Sequence, residues 1–436
     1  MLPVLALDPT PGQIILDLCA SPGSKTTQIC EHLGDSGAVI ANEVISGRVN
    51  TLVTNVQRHA SRAVLVVQHD GRHMPRVPGS GFDGVLVDVP CTGSGTTRKN
   101  PDVWGKWRPS SGRSLHSLQY DLLSRAIELT KPGGRVVYST CSLDPIENEA
   151  VVARVVAGGK VRVVPCGDSL SGVPSKPGMA NWPLLNDRGE LDTESESEEY
   201  LLPTEDKAVS SQLNDCLRVW NDEIGGGGFF LAVLERIMEE DVSGSIDPFP
   251  SQKTFDDPES FPQPIDEERE RELREVWGSV PTNIWSRGKS LLWSSDEIRE
   301  IWGAQRTRKR GRELIPGDRW RPLKVIHLGL IAARLRKGRL DRTVSRAARR
   351  LREEISGPFV NVDENVIDDI LRGKEPLRTD ISSLQDTDRG SRILVGSRGY
   401  CLAVWVGNRV TPMVSQSERT VMRGVRDLSF GTKEEE

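Results

Sequence analysis

The segment QIILDLCASPGSK, residues 13–25, gives the first indication of the fold. An apolar run ends in Asp17, a glycine follows at position 23, and the next segment has the apolar periodicity of a helix. Strand, glycine turn and helix in this order form a βα unit of a parallel sheet. The turn is neither G-x-G-x-x-G nor G-x-x-x-x-G-K-[ST], which disfavours a diphosphate cradle.

The same strand pattern recurs along the next 120 residues. Near-continuous apolar runs predict strands that are covered on both faces; they span 13–19, 38–44, 63–70, 82–90 and 133–141. Two further strands are predicted at 160–165 and 225–236, the second opened by four glycines that favour a hairpin turn over a phosphate loop. The sequence therefore predicts an α/β fold with a mostly parallel sheet.

Acidic residues end three of these strands: Glu43, Asp70 and Asp88. In an open parallel sheet, ligands bind beyond the carboxyl ends of the strands. Three acids beside a glycine turn favour a cofactor that carries a nucleoside, with Glu43 suited to bridge both ribose hydroxyls. Without a diphosphate loop, S-adenosylmethionine fits better than NAD. The predicted cofactor-binding residues are Cys19, Ala20, Ser21, Pro22, Gly23, Ser24, Lys25, Glu43, Asp70 and Asp88.

Two cysteines also follow strands, Cys91 in DVPC and Cys141 in YSTC. A single cysteine is usually a small buried hydrophobic residue, and this interpretation holds for Cys19, Cys30, Cys166, Cys216 and Cys401. The fourth and fifth strands of such sheets are commonly adjacent, so Cys91 and Cys141 should face one crevice. A pair of thiols there indicates covalent chemistry by a thiolate.

Composition sets broad limits. The seven cysteines lack metal-type spacing and predict neither a disulfide nor a metal site, which favours a reduced cell interior. No uncharged run approaches the roughly 18 residues of a membrane span, and the N-terminus lacks the pattern of a signal peptide.

Charge is unevenly distributed along the chain, although its net value is only −5. The predicted domains are a catalytic domain at 1–236 with an acidic insertion near 187–206, a mostly disordered acidic linker at 237–275, and a small α+β domain at 276–430. Residues 306–352 carry seventeen Lys or Arg and three acids, and a basic helix is predicted near 330–354. Such a segment favours RNA binding or nuclear import over a solvated helix face.

Three motifs make the chain recognisable. DLCASPGSKTTQ, DVPCTGSGTTRKNPDVWGKW and YSTCSLDPIENEAVV resemble the motifs of the Sun-type RNA cytosine-5 methyltransferases. RKNPDVWGKW is similar specifically to their eukaryotic tRNA-modifying branch. The resemblance covers about 10–165 and returns at GGFFLAVL; it is faint from about 276 onward, where that branch carries a PUA-like RNA-binding domain.

The resemblance implies a class I S-adenosylmethionine-dependent methyltransferase, with a Rossmann-like, mostly parallel seven-stranded sheet and a C-terminal PUA-like α+β domain. Cys141 would be the nucleophile that adds to carbon 6 of cytosine, and Cys91 the residue of the release step. Asp88 would hydrogen-bond the N3 and amino edge of the base, with Lys25 beside it. The product would be 5-methylcytosine in RNA, foremost tRNA, made by a monomer without a metal.

A loop after the fourth strand is predicted to hold the RNA. Its basic residues are Arg98, Lys99, Lys106 and Arg108, while Trp104 and Trp107 either contact RNA or pack the loop. The family carries an RNA-binding region before its first motif, whereas this sequence begins shortly before Asp17. We therefore expect that part to be missing. The nucleus, including the nucleolus, is the predicted location, with the cytoplasm as the alternative.

The sequence is also compatible with other functions. A relative that acts on ribosomal RNA is a second enzymatic interpretation, although RKNPDVWGKW argues against it. An amino-group methyltransferase is disfavoured because DVPC offers a thiol where those enzymes place an aromatic residue. The non-enzymatic alternative is an RNA-binding protein with an impaired catalytic domain.

Overall fold

A computed structural model describes residues 1–74, 81–166, 170–192, 198–237, 262–302 and 324–430. Its strands are β1 (Ile14–Asp17), β2 (Ala38–Asn42), β3 (Val64–Gln68), β4 (Phe82–Asp88), β5 (Thr130–Thr140), β6 (Val161–Val164), β7 (Lys176–Pro177), β8 (Leu217–Val219), β9 (Phe229–Arg236), β10 (Gln263–Pro264), β11 (Ile284–Arg287), β12 (Ser290–Trp293), β13 (Lys324–Leu328), β14 (Leu330–Arg336), β15 (Arg339–Thr343), β16 (Phe359–Val362), β17 (Gly390–Gly396), β18 (Cys401–Val406) and β19 (Val410–Pro412). Its α-helices are α1 (Leu2–Leu7), α2 (Ser24–Leu33), α3 (Ser46–His59), α4 (Asp102–Lys106), α5 (Arg113–Leu129), α6 (Glu149–Val156), α7 (Lys207–Ser210), α8 (Glu267–Trp277), α9 (Asp296–Trp302), α10 (Ser345–Leu351), α11 (Glu364–Leu371) and α12 (Gln416–Phe430).

The chain divides into two compact units. Unit 1 comprises residues 1–255 and 295–327, and unit 2 comprises 256–294 and 328–436. The predicted start of the second domain at 276 is therefore wrong in detail, because α8 already belongs to unit 2 while α9 belongs to unit 1.

The sheet of unit 1 has the predicted core. Its strand order is β13-β3-β2-β1-β4-β5-β9-β8-β7, with β6 also paired to β9. Strands β1 to β5 are parallel, and β9 is antiparallel to β5 and β6. The order β3-β2-β1-β4-β5-β9-β6 is the mostly parallel, seven-stranded arrangement that was expected, and β7, β8 and β13 extend it.

Burial explains why these segments form strands. All five residues of β2 are buried, as are Val85, Leu86 and Val87 in β4. Successive side chains of a strand point to opposite faces, so unbroken burial means that both faces of the sheet are covered. The carboxyl ends of β1, β2 and β4 lie in register, since Asp17 pairs with both Ala41 and Leu86. One edge of the sheet thus gathers the residues that follow these strands.

Two glycines hold the loop after β4 against the end of β5. The Gly95 N–H donates to the Cys141 carbonyl oxygen at 2.9 Å, and the Gly228 N–H donates to the Gly95 carbonyl oxygen at 2.8 Å. A Cβ atom on Gly95 would lie 2.5 Å from Gly228 O and 2.8 Å from Cys141 O. The predicted turn at 225–228 therefore precedes β9 and also binds the loop that follows Cys91 through the hydrogen bond between Gly228 and Gly95.

A buried ion pair joins α6 to β8. Both carboxylate oxygens of Glu149 accept hydrogen bonds from the Arg218 guanidinium at 2.5 Å, and both side chains are almost fully buried. Arg218 also donates to the Leu143 carbonyl oxygen at 3.0 Å. This pair thereby supports the segment that follows Cys141.

The structure describes parts of both predicted acidic segments. In the insertion near 187–206, Asp192 pairs with Arg113 at 2.6 Å and Leu201 is buried, while 193–197 lie outside the described residues. Of the predicted linker 237–275, residues 238–261 lie outside the described residues. The expectation of disorder is wrong for 267–275, which belong to α8. Leu273 and Trp277 are spaced one helical turn apart and are fully buried.

Unit 2 contains two sheets, β10-β11-β12-β14-β15 and β16-β17-β18-β19. The unit has the expected α+β character; its PUA-like identity stays a prediction. The basic helix predicted near 330–354 is wrong: β14, β15 and the short helix α10 occupy that range. Arg334 and Arg336 lie on strand β14, whose residues are mostly buried with partly exposed positions between them. These two basic residues are therefore on a strand rather than on a helix. The basic residues between 306 and 321 lie outside the described residues.

We predict that Gly95→Ala lowers the free energy of unfolding of unit 1 by about 1–3 kcal/mol, because the added methyl group overpacks the contact with Gly228 and Cys141. Denaturant unfolding measures this loss. Gly105→Ala is the matched control, since a Cβ at position 105 meets nothing within 4 Å. Equal stability of the two variants would contradict this packing role of Gly95.

We also predict that Glu149→Ala lowers the free energy of unfolding by about 3–5 kcal/mol, because Arg218 is left buried without its counter-ion. Glu235→Ala serves as the comparison. It breaks the exposed Arg162–Glu235 pair and should cost less than about 1 kcal/mol. Similar losses in both variants would show that burial of the Glu149 pair is not what makes it important.

Candidate active site

The two cysteines after β4 and β5 meet, as predicted. Cys91 Sγ and Cys141 Sγ are 3.1 Å apart, and both are free thiols. The strands that precede them are parallel neighbours, with Asp88 in register with Ser139. Parallel pairing alone is therefore enough to bring the two thiols to the same edge of the sheet.

The contact between the thiols separates their acidities. The hydrogen bond from Cys91 lowers the pKa of Cys141 and outweighs burial and the charge of Asp88, which both act to raise it. The same hydrogen bond, together with burial, raises the pKa of Cys91 well above its usual range. Cys141 is therefore the more acidic of the two thiols.

Lys25 and Asp88 form an ion pair at the same edge. Lys25 Nζ lies 2.6 Å from Asp88 Oδ2, and the Ser139 hydroxyl donates to Asp88 Oδ1 at 2.7 Å. Burial lowers the pKa of Lys25, but the charge of Asp88 and the hydrogen bond to it prevail and raise the pKa above its usual value. Lys25 is thus a fixed cation, and the negative charge of Cys141 adds to this effect.

The loop 19–25 connects β1 to α2, and α3 holds it in place. The Asn55 side chain donates to the Pro22 carbonyl oxygen at 2.7 Å, and Arg48 donates to the Ser21 carbonyl oxygen at 3.0 Å. Gly23 has a φ of 106°, a backbone conformation that residues with a side chain rarely adopt. The turn is thereby fixed at the start of α2, where backbone N–H groups point outward.

Glu43 follows β2 and is buried beside two exposed apolar side chains. One of its oxygens accepts from the Ile45 N–H at 2.9 Å, and the other lies 3.4 Å from Arg48 Nη1. Val44 and Ile45 are 54% and 53% exposed. A nucleoside needs an acceptor for its ribose hydroxyls next to an apolar surface for its base, so the Glu43 carboxylate with Val44 and Ile45 fits the predicted cofactor.

Asp70 follows β3, but Arg72 already binds both of its carboxylate oxygens, at 2.7–3.2 Å. The hydrogen bonds from Arg72 hold the pKa of Asp70 below its usual value. The structure thus places Asp70 at the predicted strand end with its carboxylate turned to its own neighbour.

Two buried acids, Asp17 and Glu147, were not predicted as residues of the site. Asp17 ends β1 and accepts from the Thr26 hydroxyl at 2.7 Å, while its Oδ1 lacks a hydrogen-bond partner among the described residues. Burial raises the pKa of Asp17 to about 7. Glu147 is buried and accepts hydrogen bonds from both cysteine segments. An acid that ends an apolar strand was a readable signal for Asp17, whereas nothing in IENEAVV distinguished Glu147 from its neighbours.

The basic loop after β4 is exposed, as the prediction of RNA binding requires. Arg98, Lys99, Lys106 and Arg108 all reach the surface. Trp104 is 73% exposed and Trp107 is 37% exposed. Packing of the loop by Trp104, the alternative interpretation, is therefore wrong, and Trp107 is only partly covered.

The described residues contain no group of three or more His, Cys, Asp or Glu that could hold a metal ion. No helix among them is both long and apolar enough to cross a bilayer.

Comparison with known proteins agrees with the motifs. Residues 4–173 match the family model described as 16S rRNA methyltransferase RsmB/F. The multisite-specific tRNA:(cytosine-C(5))-methyltransferase of Saccharomyces cerevisiae is 39% identical over 265 residues, which are 55% of this chain and 38% of the yeast protein. Ribosomal RNA small subunit methyltransferase F of Escherichia coli O6:H1 is 32% identical over 342 residues, 75% of this chain and 63% of that protein. The chain thus spans less than two thirds of the length of these relatives.

Among solved structures, a methyltransferase homolog protein from Pyrococcus horikoshii is 29% identical, with a TM-score of 0.41, over 54% of this chain and 65% of that one. The predicted resemblance and the class I methyltransferase fold of unit 1 are confirmed. Residues 4–173 belong to the RsmB/F, or Sun-type, family of methyltransferases.

Proposed function

We propose that this protein transfers a methyl group from S-adenosylmethionine to carbon 5 of cytosine in RNA, foremost in tRNA, through a covalent bond between Cys141 and the base. The observation that carries the proposal is the pair of thiols at the ends of β4 and β5, 3.1 Å apart. Two thiols with opposite shifts in acidity supply, within one contact, a nucleophile and a second cysteine for the release step.

The chemistry follows from the weakness of carbon 5 as a nucleophile. The Cys141 thiolate forms a bond to carbon 6, and the electrons of the carbon 5–carbon 6 double bond move onto the ring. Carbon 5 then becomes nucleophilic, and S-adenosylmethionine supplies the methyl group that it takes. A base takes the proton from carbon 5, the electrons of that bond restore the double bond, and the bond from carbon 6 to sulfur breaks with release of the Cys141 thiolate. Cys91 is the proposed residue of this release step.

Asp88 and Lys25 are proposed to hold the base. A carboxylate offers about four lone-pair positions, and those of Asp88 are only partly used by Lys25 and Ser139. The remaining positions suit the amino edge of cytosine. The Lys25 ammonium next to Asp88 offsets negative charge that develops on the ring when the thiolate adds.

The proposed cofactor site consists of the loop 19–25 and the acids at the strand ends. Glu43 with the exposed Val44 and Ile45 suits the ribose and base of S-adenosylmethionine. Asp88 provides negative charge at the same edge, which suits the positively charged methionine part. Asp70 would join this site only if its carboxylate turned away from Arg72.

RNA is the proposed substrate because the base must be reached outside its stack. Flipping a cytosine costs a few kcal/mol. Contacts between the RNA and the exposed basic loop with Trp104 and Trp107 would offset this cost. Cations there bind phosphates, and the indole rings can stack on unpaired bases. The tRNA assignment rests on RKNPDVWGKW and on the yeast relative. The proposed nuclear location rests on the basic residues within 306–352.

Ribosomal RNA is the second candidate substrate. The Escherichia coli relative that is named for ribosomal RNA aligns with 75% of this chain, more than the yeast relative does. The two candidates share all of the chemistry above and differ only in the RNA that presents the cytosine.

We predict that Cys91→Ala accumulates a covalent protein–RNA complex, because release is blocked while addition by Cys141 continues. Incubation with S-adenosylmethionine and either transcribed tRNA or small-subunit ribosomal RNA, followed by a denaturing gel, detects it as a slowly migrating band. The RNA that forms the band identifies the substrate class.

Two controls accompany this experiment. The double variant Cys91→Ala, Cys141→Ala should give no band, and Cys401→Ala, a buried thiol of unit 2, should behave like the unmodified chain. Absence of the band with every RNA, together with no transfer of labelled methyl groups by the unmodified chain, would overturn the proposed function.

A further inference from the structure

A single buried carboxylate connects the two cysteine segments. Glu147 is fully buried, and it accepts hydrogen bonds on both oxygens. Oε1 accepts from the Thr92 N–H at 2.9 Å and from Gln119 Nε2 at 2.9 Å. Oε2 accepts from the Ser142 hydroxyl at 2.5 Å and from the Thr92 hydroxyl.

These donors stand directly beside the thiols. Thr92 follows Cys91, and Ser142 follows Cys141. The same Nε2 atom of Gln119 also donates to the carbonyl oxygen of Pro90 at 3.0 Å, which precedes Cys91. Glu147 therefore touches both segments, and α5 joins the arrangement through Gln119.

The bonding pattern of Glu147 suits an ionised carboxylate. Two of the four donors are N–H groups that cannot accept, and the Ser142 hydroxyl oxygen already accepts from the Asp144 N–H at 3.1 Å. A carboxylate that faces donors on both oxygens gains nothing from a proton of its own. Hydrogen bonds to an ionised acceptor are also about twice as strong as neutral ones.

We infer that Glu147 is a positioning residue: its carboxylate holds the Cys91 and Cys141 segments together and thereby fixes the separation of the two thiols. The inference rests on the proposed function for its use, because covalent addition and release need both sulfurs within reach of one base. Preorganised geometry matters here, since a displacement of about 1 Å at a reacting atom costs about 10²-fold in rate.

The charge of Glu147 has a second effect on the thiols. It acts to raise the pKa of both Cys141 and Cys91. The other groups that face Cys141 are Cys91 and Asp88, together with Lys25. Among these groups, Asp88 and Glu147 oppose formation of the Cys141 thiolate, while Cys91 and Lys25 favour it.

Two substitutions separate position from charge. Glu147→Gln keeps an oxygen for the two N–H donors and places its amide N–H₂ against two hydroxyls that can rotate, so the geometry is retained and the charge is lost. Glu147→Ala removes all four hydrogen bonds. Glu128→Gln is the matched control, because Glu128 lies on the same helix as Gln119 and forms an exposed pair with Arg125.

The first measurement is alkylation of Cys141 by iodoacetamide as a function of pH, followed by peptide mass spectrometry of the full chain. In Glu147→Gln the curve should shift to lower pH, because removal of a neighbouring negative charge favours the thiolate. Glu128→Gln should follow the unmodified chain. An unshifted curve in Glu147→Gln would overturn the electrostatic part of the inference.

The second measurement is the rate at which diamide joins Cys91 to Cys141, a reaction in which the two thiols lose two electrons and two protons to diamide. Glu147→Ala should slow this reaction by about tenfold or more, because the effective concentration of one thiol at the other falls. Glu147→Gln should react no more slowly than the unmodified chain, because its geometry is retained and its Cys141 ionises at lower pH.

An unchanged rate in folded Glu147→Ala would overturn the positioning role. If Glu147→Ala does not fold, Glu147→Asp, which shortens the reach by one methylene, takes its place. Neither measurement uses RNA or S-adenosylmethionine. A failed methyl transfer therefore counts against the proposed function alone, and a failed shift or rate change counts against Glu147 alone.

Discussion

The parallel pairing of β4 with β5 is the constraint on which the site depends. The register that sets Asp88 opposite Ser139 also places the residues that follow each of the two strands at one edge of the sheet. Asp88, Cys91 and Cys141 are therefore neighbours in space although fifty residues separate the two thiols in the sequence. A shift of this register by one residue would turn every following side chain to the other face.

The site balances many negative groups against few positive ones. Asp17, Asp88, Glu43 and Glu147 are gathered at one edge, and the cations placed among them are Lys25 and Arg48. Such surroundings disfavour a thiolate, yet the Cys91 hydrogen bond makes Cys141 the more acidic of the two thiols. The acids suit a cationic cofactor, and the cost that they impose on the nucleophile is offset by its neighbour thiol.

The strands and the two thiols were predictable because their signals are local. An apolar run that ends in an acid or a cysteine is visible in the sequence, and parallel topology does the rest. Glu147 was not predictable, since its importance comes from partners at positions 92, 119 and 142 that only the fold assembles. Helix α8 was not predicted because its many charged residues indicated a linker, although Leu273 and Trp277 bury one of its faces. The basic residues of β14 were wrongly assigned to a helix, because charge content says little about backbone conformation.

The central claim is that Cys141, and not Cys91, bonds to cytosine. RNA transcribed with 5-fluorocytidine tests it with the unmodified chain, because fluorine on carbon 5 cannot leave as a proton does and the covalent complex persists. After incubation with S-adenosylmethionine and digestion with nuclease and protease, mass spectrometry locates the modified peptide. The account predicts a methylated fluorocytidine nucleotide on the peptide that contains Cys141. Attachment at Cys91, or no attachment while methyl transfer proceeds, would contradict it.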